Sequence, residues 1–187
     1  MERALDRKIY LAYGSNLNLA QMKKRCPEAK VIGKANLRDY QLLFRGAGKG
    51  AVATVEPKAG SYVPVLLWDI SISDEKSLDR YEGWPFLYRK EKIFVKHDGK
   101  YVETMAYIMN EKGHAPGRPS DGYFRTIMEG YISSGFNAQV LERGVEDSIE
   151  KRENEKRIKK AEKEASGKVS WTKRIFQFGR LKKATNF

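Results

Sequence analysis

Short apolar runs, separated by glycines and polar turns, dominate the first part of the chain. Residues 9–13 form one such run, which ends at Gly14. A brief, continuous apolar run that stops at a glycine predicts a buried strand followed by a tight turn. Residues 17–25 then predict a helix, with Ser15 or Asn16 as its N-cap. The first unit is therefore expected to be a strand, a turn and a helix.

The segments that follow are mostly strand-like. Strands are predicted over 41–44, 51–55 and 62–70. A short helix is predicted from Ser73 to Gly83, because acidic residues occupy its first turn and a glycine follows its last residue.

A hairpin is predicted over 89–97 and 101–109, because the dipeptide Asp98-Gly99 between them is a strong turn signal. Strands thus outnumber helices, and most of them are joined by short links. This pattern predicts a mixed α/β (α+β) domain with a curled, largely antiparallel sheet.

The later segments are expected to be helical. Asp121 is expected to cap a helix that runs to Tyr131, and Asn137 is expected to begin another. Residues 147–163 are almost wholly polar, which predicts either an exposed helix or disorder. The pair Ser166-Gly167 is expected to interrupt this stretch.

Positive charge is concentrated near the C-terminus. The formal net charge is +12, and residues 146–187 contain 13 Lys and Arg against 7 Asp and Glu. We therefore divide the chain into a domain, 1–145, and a basic, charged, helical or extended tail, 146–187. Such a tail favours nucleic acid or an anionic membrane as a partner, although a solvated, charge-rich helix is the simpler interpretation. Apolar residues within 169–181 are expected to dock on the protein's own surface or on a second subunit. A homodimer is therefore one of the alternatives.

The composition narrows the class of protein. With 187 residues, 41% hydrophobic and 32% charged, the chain can build one domain with a real core. No apolar run reaches the length of a membrane span, and the first residues lack the apolar stretch of a secretory signal. Cys26 is the single cysteine and cannot form an internal disulfide, so a cytoplasmic location is expected.

The turn at Tyr13-Gly14-Ser15-Asn16 is the first candidate binding site. A glycine between a strand and a helix permits a tight bend and leaves the first helical N–H groups without intrahelical partners. Such groups can bind a carboxylate or an oxyanion. Simple helix capping is the alternative. Ser15 is disfavoured as a nucleophile, because the Gly-x-Ser-x-Gly pattern is missing and the chain has 2 histidines.

Glu82 is the second candidate. It lies at the end of a predicted helix, where an acid is disfavoured, and Trp84, Pro85 and Phe86 follow it and are expected to desolvate its carboxyl group. Both effects raise a carboxyl pKa towards the range that suits proton transfer near neutral pH. An exposed surface glutamate is the alternative.

The spacing of residues supports neither a metal site nor a phosphate-binding loop. The two histidines, His97 and His114, and Cys26 show no metal-ligand spacing, so no metal is expected. Lys49 follows a glycine, but the remaining positions of a phosphate-binding loop are not matched.

Four segments, in order, carry a resemblance to a known family. They are Tyr13-Gly14-Ser15-Asn16-Leu17; Ala51-Val52-Ala53-Thr54-Val55; Leu78-Asp79-x-x-Glu82-Gly83 followed by Tyr88; and Pro119-Ser120-x-x-Tyr123 before a helix containing Gly130. Over about residues 8–140 the chain resembles the γ-glutamylcyclotransferase-like family, which includes avirulence-induced plant proteins and γ-glutamylamine cyclotransferases.

The resemblance implies a mixed α/β fold built on a small, largely antiparallel β-barrel with flanking helices, and a cavity at one end. It implies that Glu82 is the catalytic acid/base and that the 13–17 loop holds the substrate's carboxylate and carbonyl oxygens. It also implies that Tyr88 and Tyr123 line the cavity, and that no cofactor is needed. The bulky segment 84–87 departs from the family pattern.

The implied activity is cyclisation of the γ-glutamyl group of a small amide or dipeptide to 5-oxoproline, with release of the amine. The attack is intramolecular, so an enzyme gains mainly by holding the reactive rotamer. Two alternatives stay open. One is a non-catalytic protein of the same fold that binds a small carboxylate, and the other is a nucleic-acid-associated protein that uses the basic tail.

Overall fold

The computed structural model describes residues 7–46 and 50–181, and it describes side chains up to residue 166. The chain divides into two compact units, Met1–Ile149 and Glu150–Phe187. The elements are β1 (Arg7–Ala12), a single 3₁₀ turn (Ser15–Leu17), α1 (Leu19–Arg25), β2 (Lys30–Arg45), β3 (Val52–Ser71), α2 (Ile72–Glu82), β4 (Tyr88–His97), β5 (Lys100–Met109), α3 (Asp121–Ser134) and α4 (Ala138–Leu181).

The five strands form one sheet in the order β2-β3-β1-β5-β4. Neighbouring strands are antiparallel except β1 and β5, which run parallel and pair at Tyr10 and Met105. The mixed α/β fold with a largely antiparallel sheet is confirmed. Over the described ranges the edge strands β2 and β4 are not paired with each other, so the sheet is open where the resemblance implied a barrel.

The strands before α2 are longer than expected. The predicted segments 41–44, 51–55 and 62–70 belong to two long strands, β2 of 16 residues and β3 of 20 residues. These two strands pair along most of their length, with irregularities between Val31 and Gly33 and between Arg38 and Tyr40. The alternation of apolar and polar positions is broken at such bulges, which is why the sequence pattern shows only fragments of each strand.

Three helices begin at caps other than the expected ones. Asn18, not Ser15 or Asn16, caps α1 by accepting a hydrogen bond from the Gln21 N–H at 3.1 Å. Ser71 caps α2, where it forms a capping box with an acidic residue. Ser120 caps α3. In each case several cap-forming residues stand side by side, and backbone geometry selects among them.

Helix α4 runs through the position where a break was expected. The polar stretch 147–163 is helical, and the pair Ser166-Gly167 does not end the helix, which continues to Leu181. A glycine inside a helix costs about 1 kcal/mol, which does not by itself end a helix. The expected docking of apolar side chains within 169–181 lies outside the described side chains. In the described ranges, no helix is long and apolar enough to cross a membrane.

Close packing of α3 holds the 3₁₀ turn in place. A Cβ added at Gly130 of α3 would lie 2.6 Å from the Leu17 Cβ and 2.8 Å from the Leu17 carbonyl carbon. Leu17 itself is fully buried in the core. The backbone of the turn is therefore clamped between the end of β1 and a helix that must carry glycine at this position.

Candidate active site

The loop after β1 is buried and closely packed. Ser15, Asn16 and Leu17 are all buried, although two of the three are polar. Gly14 has φ −115°, which is not left-handed, so a sharp bend is not what requires glycine here. A Cβ at Gly14 would lie 3.1 Å from the Ala53 Cβ and 3.6 Å from the Tyr123 hydroxyl, so the requirement is space.

The backbone N–H groups of this loop fall into two classes. The Leu17 N–H donates to the Gly14 carbonyl at 2.9 Å, and the Asn18 N–H donates to the Ser15 carbonyl at 3.1 Å. The N–H groups of Ser15 and Asn16 have no acceptor within the ranges 7–46 and 50–181. These are the first N–H groups of a helical turn, which ordinarily lack an internal partner. Two adjacent amides are therefore available to an oxyanion.

Glu82 meets this loop through Asn16. Glu82 is the last residue of α2, and Gly83 ends the helix with a left-handed φ of 64°. The Asn16 Nδ2 group donates to Glu82 Oε1 at 2.8 Å and to the Tyr10 hydroxyl at 2.8 Å. The two candidate segments, far apart in sequence, thus meet at one hydrogen-bonded point.

The pKa of Glu82 is raised to about 7 from an ordinary value of 4.5. Burial of the carboxyl group is the main cause, because it disfavours the charged form. The hydrogen bond from Asn16 and the charge of Arg25 act in the opposite direction and lower it. The carboxyl group therefore exchanges its proton close to neutral pH.

Tyrosine side chains form the wall of a small cavity at Glu82. The lining tyrosines, here called the tyrosine wall, are Tyr10, Tyr13, Tyr88, Tyr107 and Tyr123. Gly14, Ser15, Asn16, Ala53 and Glu82 complete the lining. The cavity volume is about 20 Å³, roughly the space that one water occupies.

Backbone contacts hold three residues of the tyrosine wall in place, Tyr13, Tyr88 and Tyr123. The Tyr88 hydroxyl donates to the Ala53 carbonyl at 2.6 Å, and the Ala53 N–H donates to the Tyr123 hydroxyl at 3.2 Å. The Tyr13 hydroxyl donates to the Tyr107 carbonyl. Burial raises the pKa of every tyrosine in the wall above its usual range. The wall is therefore neutral and oriented.

The bulky residues at positions 84–86 lie outside the lining of the cavity at Glu82. Trp84, Pro85 and Phe86 were expected to desolvate the carboxyl group, but none of them lines the cavity. Phe86 is 87% exposed. Trp84 packs against Lys90, whose Nζ atom lies 4.6 Å from the centroid of the Trp84 ring. The expected rise in pKa is present, and its cause is burial of the carboxyl group in the cavity that the tyrosine wall lines.

Sequence reasoning missed Tyr10, Tyr107 and Arg25. Tyr10 and Tyr107 lie in β1 and β5, the parallel pair, and their rings meet edge to face at 5.8 Å. Tyrosines in strands are common, and only strand pairing shows that these two face one cavity. Arg25 was visible as nothing more than a basic residue in the last turn of α1.

The histidines lie apart from this cavity. His97 contacts the Lys34 carbonyl at 3.3 Å, and His114 contacts the Asn110 carbonyl at 2.7 Å. In the part of the chain that the structure describes, no group of three or more His, Cys, Asp or Glu side chains could hold a metal ion.

Comparisons with known proteins agree on one family. Residues 10–126 match the family described as gamma-glutamyl cyclotransferase, AIG2-like. The chain is 30% identical over 145 residues to the γ-glutamylcyclotransferase of Homo sapiens, covering 72% of this chain and 76% of that protein. It is 31% identical over 137 residues to the γ-glutamylcyclotransferase of Bos taurus, covering 68% and 72%.

A solved structure supports the same relationship. A protein described as gamma-glutamyl cyclotransferase superposes with a TM-score of 0.66 and 28% sequence identity. The match covers 74% of this chain and 86% of that chain.

Proposed function

This chain belongs to the γ-glutamyl cyclotransferase, AIG2-like family, and on that premise we propose that it cyclises the γ-glutamyl group of a small amide or dipeptide to 5-oxoproline. The amine portion of the substrate is released. The observation that carries the proposal is the meeting of the Glu82 carboxyl group, a titrating acid, with the Ser15 and Asn16 amides in one tyrosine-lined cavity.

The reaction needs one proton acceptor that later becomes a donor. The substrate's α-amine attacks its own γ-carbonyl carbon, which closes a five-membered lactam and breaks the bond to the amine portion. Glu82 takes the proton that the attacking nitrogen loses, and the protonated Glu82 then gives it to the departing nitrogen. A pKa of about 7 suits both steps, because neither protonation state of Glu82 is costly near neutral pH.

The negative charge that develops on the γ-carbonyl oxygen needs fixed donors. The Ser15 and Asn16 N–H groups have this role in the proposal, since they belong to one turn and have no acceptor within the described ranges. Donors that are already oriented stabilise such an oxyanion without reorganising during the reaction. The Leu17 N–H is used inside the turn, so Leu17 contributes to the site through packing.

The tyrosine wall has a positioning role in this proposal. Because the α-amine and the γ-carbonyl belong to one flexible chain of atoms, the rate gain comes from holding them in the reactive rotamer. Tyr88 and Tyr123 are fixed to the backbone of Ala53 on the wall of the cavity, so they restrict the space in which the substrate chain can rotate. Tyr13 is fixed in the same way to the backbone of β5.

A panel of γ-glutamyl amides tests the proposal. Purified protein is incubated with γ-glutamyl amino acids and γ-glutamyl amines, and 5-oxoproline is measured with the released amine. We expect equimolar products from at least one member. Binding of these compounds by calorimetry, without any 5-oxoproline, would contradict the enzyme and favour a carboxylate-binding protein.

We further propose a cytoplasmic location. Cys26 is free and buried against α2, where its thiol contacts the Asp74 carbonyl at 3.6 Å. A thiol in this setting needs no oxidising compartment. Cell fractionation with a tagged full-length chain would check the location.

A further inference from the structure

Arg25 contacts the candidate site from α1. Its guanidinium group lies 3.6 Å from the centroid of the Tyr81 ring and donates to the Tyr81 hydroxyl at 2.8 Å. It also donates to the Asn16 Oδ1 atom, to the Ser15 hydroxyl at 3.4 Å and to the Gln21 Oε1 atom at 2.8 Å. These acceptors belong to the loop, to α1 and to the end of α2.

The donor count of Arg25 indicates what this group does. A guanidinium group has five N–H donors. Nη1 donates to Ser15 and Asn16, and Nη2 donates to Gln21 and Tyr81, so four of the five are engaged. These four acceptors are all neutral. A guanidinium group poised to bind a substrate carboxylate would keep its paired donors free, whereas this one uses them to join three segments of the protein.

The contact with Asn16 has a direct consequence for Glu82. The Asn16 amide has one acceptor oxygen and one donor nitrogen. Because the oxygen accepts from Arg25, the nitrogen is turned towards Glu82 Oε1 and the Tyr10 hydroxyl. The opposite orientation would place the amide oxygen against the carboxylate and the amide nitrogen against the guanidinium group.

Arg25 also supplies the positive charge that acts on Glu82. The tyrosine wall faces the carboxyl group with neutral hydroxyls, and Cys26 near α2 is neutral as well, because burial raises its pKa to about 12. Behind Tyr107, the positive charge of Lys90 is balanced by ion pairs with Glu75 and Asp79. The charge of Arg25 lowers the pKa of Glu82 against the effect of burial.

We propose that Arg25 is a positioning residue that orients the Asn16 amide and, through it, the Glu82 carboxyl group for proton transfer. This inference rests on the proposed role of Glu82 as the base. Arg25 acts through two separable properties, its forked geometry and its charge. Lysine keeps the charge and loses the fork, whereas glutamine loses the charge.

The test uses Arg25→Lys, Arg25→Gln and the control Arg80→Gln. Arg80 is exposed on α2 and contacts Ser77, so its replacement removes one positive charge without touching Asn16. The first readout is the titration midpoint of the Glu82 carboxyl carbon in NMR spectra. The second is kcat, KM and their dependence on pH, measured by 5-oxoproline release.

For Arg25→Gln we expect the titration midpoint of Glu82 to move up by about one pH unit, because a nearby opposite charge is lost. The rising limb of the pH profile of kcat/KM should move up by the same amount. We expect kcat to fall about tenfold with little change in KM. Arg25→Lys should keep the wild-type midpoint and still lose kcat, and Arg80→Gln should match the wild type in both readouts.

An unchanged titration midpoint of Glu82 in Arg25→Gln would overturn the inference. A loss of kcat that is fully explained by lowered thermal stability of the variant would overturn it as well. If Arg25→Gln does not fold, Arg25→Lys decides, since wild-type kcat in that variant would overturn the positioning role. A wild-type protein that forms no 5-oxoproline refutes the proposed function, while the NMR midpoints still test the link between Arg25 and Glu82.

Discussion

Glu82→Gln isolates proton transfer from every other property of the site. Glutamine keeps the size of the side chain and can still accept the hydrogen bond from Asn16, but it cannot take a proton. General acid/base groups contribute roughly 10²–10⁴-fold, so we expect kcat to fall by that factor while ligand binding persists. Turnover is measured by 5-oxoproline release, with the exposed Glu111→Gln as the control. Wild-type turnover in Glu82→Gln would remove this residue from the mechanism.

The raised pKa of Glu82 also makes stability depend on pH. Between pH 4.5 and about 7 the folded protein keeps a proton that the unfolded chain has released. Stability therefore falls as the pH rises through this range, by about 3 kcal/mol at most. Glu82→Gln lacks this penalty. We expect its Tm to exceed that of the wild type more at about pH 8 than at about pH 5, and a constant difference in Tm would contradict the assignment.

Gly14 is required for space in the loop. Valine at this position would place methyl groups where Ala53 and the Tyr123 hydroxyl already lie. We expect Gly14→Val to abolish binding of small carboxylates, measured by calorimetry. Gly122→Val is the matched control, because a Cβ there meets nothing within 4 Å. A crystal of Gly14→Val with a carboxylate on the loop amides would refute the idea.

The sequence pointed to part of the site for an identifiable physical reason. Gly14 is a turn signal at a strand end, and Glu82 departs from the ordinary preferences of a helix end, so both are visible in a linear pattern. Tyr10 and Tyr107 obey the preferences of strands. Their role depends on the pairing of β1 with β5. These two strands lie far apart in the sequence, so no local pattern reveals that they pair.

At the scale of elements, the β4–β5 hairpin and the end of α2 were predictable because short-range signals determine them. The β4–β5 turn follows from Asp98-Gly99, and α2 ends at Gly83 as expected. The lengths of β2 and β3 were not predictable, because the pairing that extends them includes exposed, polar positions and two irregularities. Stabilisation of those positions comes from the partner strand, so it leaves no hydrophobic period in the sequence.

The contact of α3 with the loop yields a prediction for a helix position. Alanine ordinarily stabilises a helix relative to glycine, but at Gly130 its Cβ would meet Leu17 at 2.6 Å. We expect Gly130→Ala to cost about 1–3 kcal/mol, as overpacking does, and to lower kcat by displacing the Ser15 and Asn16 amides. Chemical denaturation and 5-oxoproline release measure the two effects.

Gly122→Ala in the same helix is the control for that experiment. Its Cβ meets nothing within 4 Å, so we expect unchanged or slightly higher stability and wild-type kcat. Equal behaviour of the two alanine variants would show that α3 does not hold the loop.

At the scale of the whole molecule, the site and residues 150–187 of the basic tail belong to different units. Every residue of the cavity lies in Met1–Ile149, which retains Ser148, the buried acceptor of the Phe44 N–H at 2.8 Å. We expect deletion of residues 150–187 to leave kcat and KM for 5-oxoproline formation within about twofold, since it removes no residue that lines the cavity. Loss of activity with the fold intact, checked by circular dichroism, would contradict this division.

The same deletion tests the alternative partner. If the tail binds nucleic acid, the full chain should show binding that weakens steeply with salt, and the shortened chain should not. Equal, salt-independent behaviour of both chains would leave the tail as a solvated helix.

The volume of the cavity at Glu82 has a kinetic consequence. About 20 Å³ accommodates a single water, whereas a γ-glutamyl group is several times larger. Full entry of a substrate into this partly open cavity therefore requires part of the tyrosine wall to move, and the hydroxyls of Tyr13, Tyr88 and Tyr123 are tied to the backbone of Tyr107 and Ala53. Association that waits for such an opening is slower than ordinary encounter between molecules. How often these tethers break, more than how often substrate and protein collide, then sets the rate of capture.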